Sequence, residues 1–76
     1  MTIEQIEELI KLGFKDAKVQ MEGDGCNCST TVISDEFEGK SLLERQKMVL
    51  ATVRSQIDSG ELHALSIKAK TPTEAS

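Results

Sequence analysis

Three side chains in this sequence have the chemistry to bind a soft or borderline metal: Cys26, Cys28 and His63. Thiolate and imidazole are the donors used for zinc, copper and iron–sulfur centres. Three donors are too few to close a tetrahedral site within one chain. A site built on them needs a further donor from a partner protein, a small thiol or a second copy of the chain. The Cys26-Asn27-Cys28 triplet stands without a second cysteine pair, so it reads equally as two ordinary small side chains in a loop and a strand. Its spacing also suits a mutual disulfide poorly, because an extended i, i+2 pair lies near the upper limit of Cα separation for that bond. His63 is the only histidine. On residue type alone it reads first as a strand residue covering a sheet end, and second as a ligand.

Other chemical readings are weaker. Gly39-Lys40-Ser41 has the ending of a phosphate-binding loop, but the upstream glycine that loop requires is replaced by Ser34. Gly23-Asp24-Gly25 has turn chemistry and no following helix pattern, so it reads as a hairpin turn. Asp35, Glu36 and Glu38 read as a solvated turn rather than an acid–base pair. No Ser/His/Asp set stands in a recognisable context, and the chain is read as a non-enzyme.

The elements that must position these residues follow from the pattern. Thr2 with Gln5 is a capping-box signal, and Ile3, Ile6, Leu9 and Ile10 recur at helical spacing up to a stop at Gly13. Ala17, Val19 and Met21 alternate with Lys18, Gln20 and Glu22, as in a half-buried strand. The β-branched stretch from Cys28 to Ser34 returns as its antiparallel partner, with Cys26 and Asn27 in or beside the loop. Phe37 is expected as an apolar plug beneath a turn at Gly39. Ser41 and Glu44 form a second capping box, opening a helix whose apolar stripe is Leu42, Leu43, Gln46, Val49, Leu50, Val53 and Ile57, with a break into two helices left open. Its basic residues, among them Arg45, Lys47 and Arg54, read as a solvated face. Ser59-Gly60 ends it, and Leu62 to Ala69 alternates as a third strand with Leu65 and Ile67 toward the helices. Thr71-Pro72 closes the domain, leaving residues 73–76 as a flexible tail.

Length and composition set limits on this reading. The chain has 76 residues, which is one domain, here 1–72, with a small core. Only Phe14 and Phe37 are large aromatics, so aliphatic residues build most of that core. Thirteen acids against nine bases give a net charge of −4, which argues against a phosphate-binding footprint. No apolar run is long enough to span a membrane, and the N-terminus lacks the pattern of a signal peptide. A cytoplasmic location with cysteines kept as thiols is therefore expected.

Two stretches carry a family resemblance. Val32-Ile33-Ser34-Asp35-Glu36-Phe37-Glu38-Gly39-Lys40-Ser41-Leu42 and Leu62-His63-Ala64-Leu65-Ser66-Ile67-Lys68, with Thr71-Pro72 after them, resemble the signatures of BolA-like proteins. The resemblance implies an α/β (α+β) fold related to class II KH domains: a small three-stranded mixed sheet with helices on one face, in the order αββα(α)β. It implies partnership with a monothiol glutaredoxin and glutathione around a bridging [2Fe–2S] cluster, in iron sensing or cluster trafficking. His63 matches the family's histidine ligand. The family's second ligand comes from the loop before the second strand, where many members have histidine and this chain has Asn27 flanked by cysteines. Cys26 is favoured for that role, with Cys28 as the alternative. The tryptophan often found after the Thr-Pro motif is absent. The competing function is a KH-like nucleic-acid-binding transcriptional regulator, against which stand the negative charge and the lack of a Gly-x-x-Gly clamp. Self-association as a homodimer stays open.

Overall fold

The computed structural model describes residues 2–23, 27–62 and 64–75, with residues 27 and 64 described through their backbone only. The elements run α1 (Ile3–Leu12), β1 (Ala17–Gly23), β2 (Asn27–Ser34), a 3₁₀ turn (Asp35–Phe37), α2 (Leu42–Thr52), α3 (Arg54–Asp58), β3 (Ala64–Lys70) and α4 (Pro72–Ala75). This is the α+β arrangement with a three-stranded mixed sheet that the sequence implies. The sheet order is β1-β2-β3, with β1 antiparallel and β3 parallel to the central strand. The α2–α3 crossover is long enough to return the chain for that parallel pairing.

Both capping boxes form. The Thr2 hydroxyl accepts from the Gln5 N–H, and the Gln5 side chain accepts from the Thr2 N–H at 2.9 Å. Ser41 and Glu44 make the same reciprocal pair at the start of α2. Each box satisfies two of the donors that a helix N-terminus leaves orphaned. Gly39 and Gly60 adopt φ of 75° and 84°, conformations that make glycine the natural residue at these two turns. Gly13 is different. It ends α1 with a right-handed φ of −83°, and its lack of a side chain serves packing: a Cβ there would run into Cγ2 of Thr52 on α2.

The core lies between the helices and one sheet face. Cys28, Thr30, Val32 and Ser34 of β2 point into it, with Ile6, Ile10, Val49 and Val53 from the helices. Phe37 is fully buried beneath its turn and meets Phe14 edge to face, with ring centroids 5.3 Å apart. Buried Thr30 donates to the Gln20 carbonyl at 3.1 Å, so its hydroxyl is satisfied.

Three expectations are corrected. Leu42 and Leu43 do not belong to the buried stripe of α2; they are 72% and 62% exposed. The inward positions are Arg45, Val49 and Val53, so Arg45 is not part of a solvated face. The helical layer does break at Val53, whose N–H bonds to the Leu50 carbonyl. Finally, residues 73–75 do not fray away after Pro72. Thr71 caps α4 through a third reciprocal pair with Glu74, and proline occupies the first helical position, where its missing N–H costs nothing.

Candidate functional site

The parallel register aligns the starts of β2 and β3. Asn27 is the Cα partner of Ala64, and Cys28 that of Leu65. Two of the three candidate ligands immediately precede this pair in the chain: Cys26 before Asn27 and His63 before Ala64. Cys26 and His63 themselves lie outside the described residues. The third candidate, Cys28, is described and is 7% exposed. It occupies an inward position of β2, in the alternation that also buries Thr30, Val32 and Ser34. Its side chain is thus part of the core packing. Among the described residues no group of three or more His, Cys, Asp and Glu is arranged to hold a metal ion.

The opposite end of the same strand pair carries a polar network that the sequence reading missed. Arg45 reaches from α2 across the edge of β3. Its Nη1 donates to the Ala69 carbonyl at 3.1 Å and to Glu74 Oε1 at 2.7 Å, Nη2 donates to Glu74 Oε2 at 3.2 Å, and Nε donates to the Lys40 carbonyl at 3.0 Å. The Glu74 carboxylate also accepts from the Thr71 N–H at 2.9 Å. These charge-assisted bonds hold the Glu74 carboxyl below its ordinary range, Arg45 contributing most and the Thr71 N–H next. The Arg45 guanidinium is correspondingly pushed up by Glu74. One signal in the sequence pointed to this network: Thr71-Pro72-x-Glu74 is a capping box with proline in the first helical position.

The network floors a groove of about 390 Å³ between α2 and the outer edge of β3. The opposite face of the sheet is polar, with Lys18, Gln20, Glu22, Ser66, Lys68 and Lys70 exposed. Among the described residues no helix is long and apolar enough to cross a membrane.

Comparison with known proteins places this architecture. A family model described as BolA-like protein matches residues 15–74. A protein of Acinetobacter guillouiae, described as an uncharacterized protein in the rpoN-murA intergenic region, is 39% identical over 97% of this chain and 89% of its own length. Protein BOLA2 of Arabidopsis thaliana is 38% identical over 97% of this chain and 83% of its own. Among solved structures, a bolA protein homologue from Coxiella burnetii superposes with a TM-score of 0.87 at 34% identity, covering 99% of this chain and 96% of that one. With the matched model spanning both signature stretches and the fold agreeing, the chain belongs to the BolA-like protein family.

Proposed function

We propose that this protein is a non-enzymatic iron–sulfur adaptor that holds a [2Fe–2S] cluster jointly with a monothiol glutaredoxin and glutathione, for iron sensing or cluster trafficking. The observation that carries the reading is the pairing of Asn27 with Ala64 at the start of two parallel strands. Cys26 and His63 are the residues directly before that pair in the sequence, and one trans peptide spans about 3.8 Å between Cα atoms. One thiol and one imidazole make a half-site whose chemistry fits iron and whose remaining coordination is left to a partner. Burial of Cys28 favours Cys26 as the thiolate donor. Membership of the BolA-like family supports the same assignment.

The bound cluster would be the cargo, supplying iron in a form that can be sensed or passed on. The chain's own part is to present two donors in the right protonation state. Cys26 binds as the thiolate, and His63 binds through a neutral ring nitrogen, so protonation of the imidazole withdraws one ligand. That makes retention of the cargo sensitive to acid, which suits transfer better than permanent storage.

The test is anaerobic reconstitution of the chain with a monothiol glutaredoxin, iron, sulfide and glutathione, followed by size-exclusion chromatography with visible absorption and circular dichroism. A coloured mixed complex, with a spectrum altered by His63→Ala and by Cys26→Ser, is the expected result. A spectrum indifferent to His63→Ala rejects that ligand, and a colourless chain that never co-elutes with the glutaredoxin rejects the adaptor reading. The nucleic-acid alternative has little to draw on: both phenylalanines are buried, so neither offers a base a stacking platform.

A further inference from the structure

β3 is an edge strand, and Arg45 reveals how its outer side is oriented. Along a strand the N–H and C=O of one residue point to the same neighbour, and successive residues alternate. Arg45 donates to the Ala69 carbonyl and lines, with Glu74, the groove along β3, so we infer that this carbonyl points away from β2. The N–H of Ala69 and both backbone groups of Ile67 therefore also point outward, whereas those of Lys68 point toward β2. Such an edge is a template for a further strand. Ile67, Lys68, Ala69 and Lys70 line the α2–β3 groove in succession, so the strand edge itself forms one wall. Leu42 and Gln46 stand across from it, Leu42 with 72% of its surface exposed.

The geometry points to this groove as the docking site for an extended segment of a partner protein in which acidic and apolar residues alternate, added as a fourth strand beside β3. Side chains on one face of that strand meet Leu42 and Ile67; those on the other meet Lys68 and Lys70, both exposed. A strand with period-two alternation satisfies both faces at once. Arg45 sets the limit of the ladder, because it already occupies the Ala69 carbonyl, and Glu74 beside it repels an acidic residue placed further along. The same lysines select the occupant. A second copy of β3 would set Lys68 and Lys70 against like charges, which destabilises a strand pair. A nucleic acid would bring phosphates toward Glu74, whose side chain is 48% exposed in the groove.

The test uses the full chain labelled with ¹⁵N, without iron, so that it is independent of the cluster reading. The probes are a short capped peptide alternating glutamate and valine, a peptide of the same composition with its glutamates in one block, and a single-stranded oligonucleotide of similar charge. The alternating peptide is expected to slow hydrogen exchange at the Ile67 and Ala69 amides. Its affinity is expected to fall about ten-fold or more, a loss of about 1.4 kcal/mol or more, in Lys68→Glu/Lys70→Glu, in Leu42→Ala, and on going to the blocked peptide. These side chains are exposed, so the variants keep the fold. Unchanged exchange at Ile67 and Ala69, equal affinity for the charge-reversed chain, or stronger protection of the edge by the oligonucleotide would each overturn the proposal.

Discussion

At the C-terminal end of the β2–β3 pair, Arg45 draws together Lys40, Ala69 and Glu74, and Thr71 closes the network through Glu74. At the N-terminal end, Asn27 faces Ala64, and the described side chain next in line, Cys28, packs into the core. One end is cross-linked by charge-assisted bonds between residues far apart in sequence. The other begins, in the sequence, directly after the two remaining candidate ligands: Cys26 precedes Asn27 and His63 precedes Ala64. The difference is one of interaction type: the clamp fixes how helix, edge strand and C-terminal turn sit together through charge-assisted bonds, whereas the other end is held by apolar packing. A domain of this size has only a small core, so the loss of either kind of contact is a large share of its stability.

The sharpest way to break that comparison is Arg45→Met, which keeps an apolar stem and removes every donor. It strands the Ala69 and Lys40 carbonyls and leaves Glu74 without its cation. A buried network that loses one member costs more than a surface pair does. The variant is expected to show the largest fall in melting temperature of the four considered, by several degrees, without altering the visible spectrum of a reconstituted complex. A spectral change would mean that the two ends are coupled.

At the other end, Cys28→Ser puts a hydroxyl where the structure buries a thiol. The expected loss of stability is about 1–2 kcal/mol by denaturant unfolding, with the cluster spectrum unchanged. If the spectrum changes and stability does not, Cys28 is a ligand and Cys26 is released from that role.

The acid limb of stability tests the clamp in another way. The folded Glu74 carboxyl titrates below its ordinary value of 4.5. A depressed carboxylate adds stability above its unfolded pKa, and that stability is lost as pH falls through the lower, folded value. Glu74→Gln should therefore flatten the decline of melting temperature below that ordinary value while lowering stability near neutrality. Glu44, held low by Ser41, leaves a residual slope in the variant.

What could be read in advance divides along the same line. Local signals were sufficient for the two capping boxes, the positive-φ turns at Gly39 and Gly60, and the strand alternation that turns Leu65 and Ile67 inward, because each depends on residues a few positions apart. The role of Arg45 was not legible. Its partners Ala69 and Glu74 lie 24 and 29 residues away, and helical periodicity sees only a cation on an amphipathic helix. Leu42 and Leu43 misled for the complementary reason: they fit the helical period, but the first turn of α2 leaves them facing outward. The start of α4 was readable from Thr71, Pro72 and Glu74, and was missed because proline was read as a stop rather than as a first helical residue. The candidate ligands could be named from residue type and from the family signatures. The pairing of the residues that follow them, Asn27 with Ala64, needed the parallel register, which no local pattern specifies.

Arg54 completes the comparison. It is a second arginine from the same helical layer, and the sequence assigns it the same solvated face as Arg45. It pairs with Asp58 one turn on at 3.5 Å, with side chains 74% and 68% exposed. An exposed i, i+4 pair loses most of its attraction to water and to the entropy of two long side chains. Arg54→Ala is therefore expected to shift stability by no more than about 0.5 kcal/mol, and that small effect should shrink further at high salt. A loss comparable to that of Arg45→Met would show that charge on the helical layer as a whole, rather than the contacts Arg45 makes at the sheet end, holds this fold together.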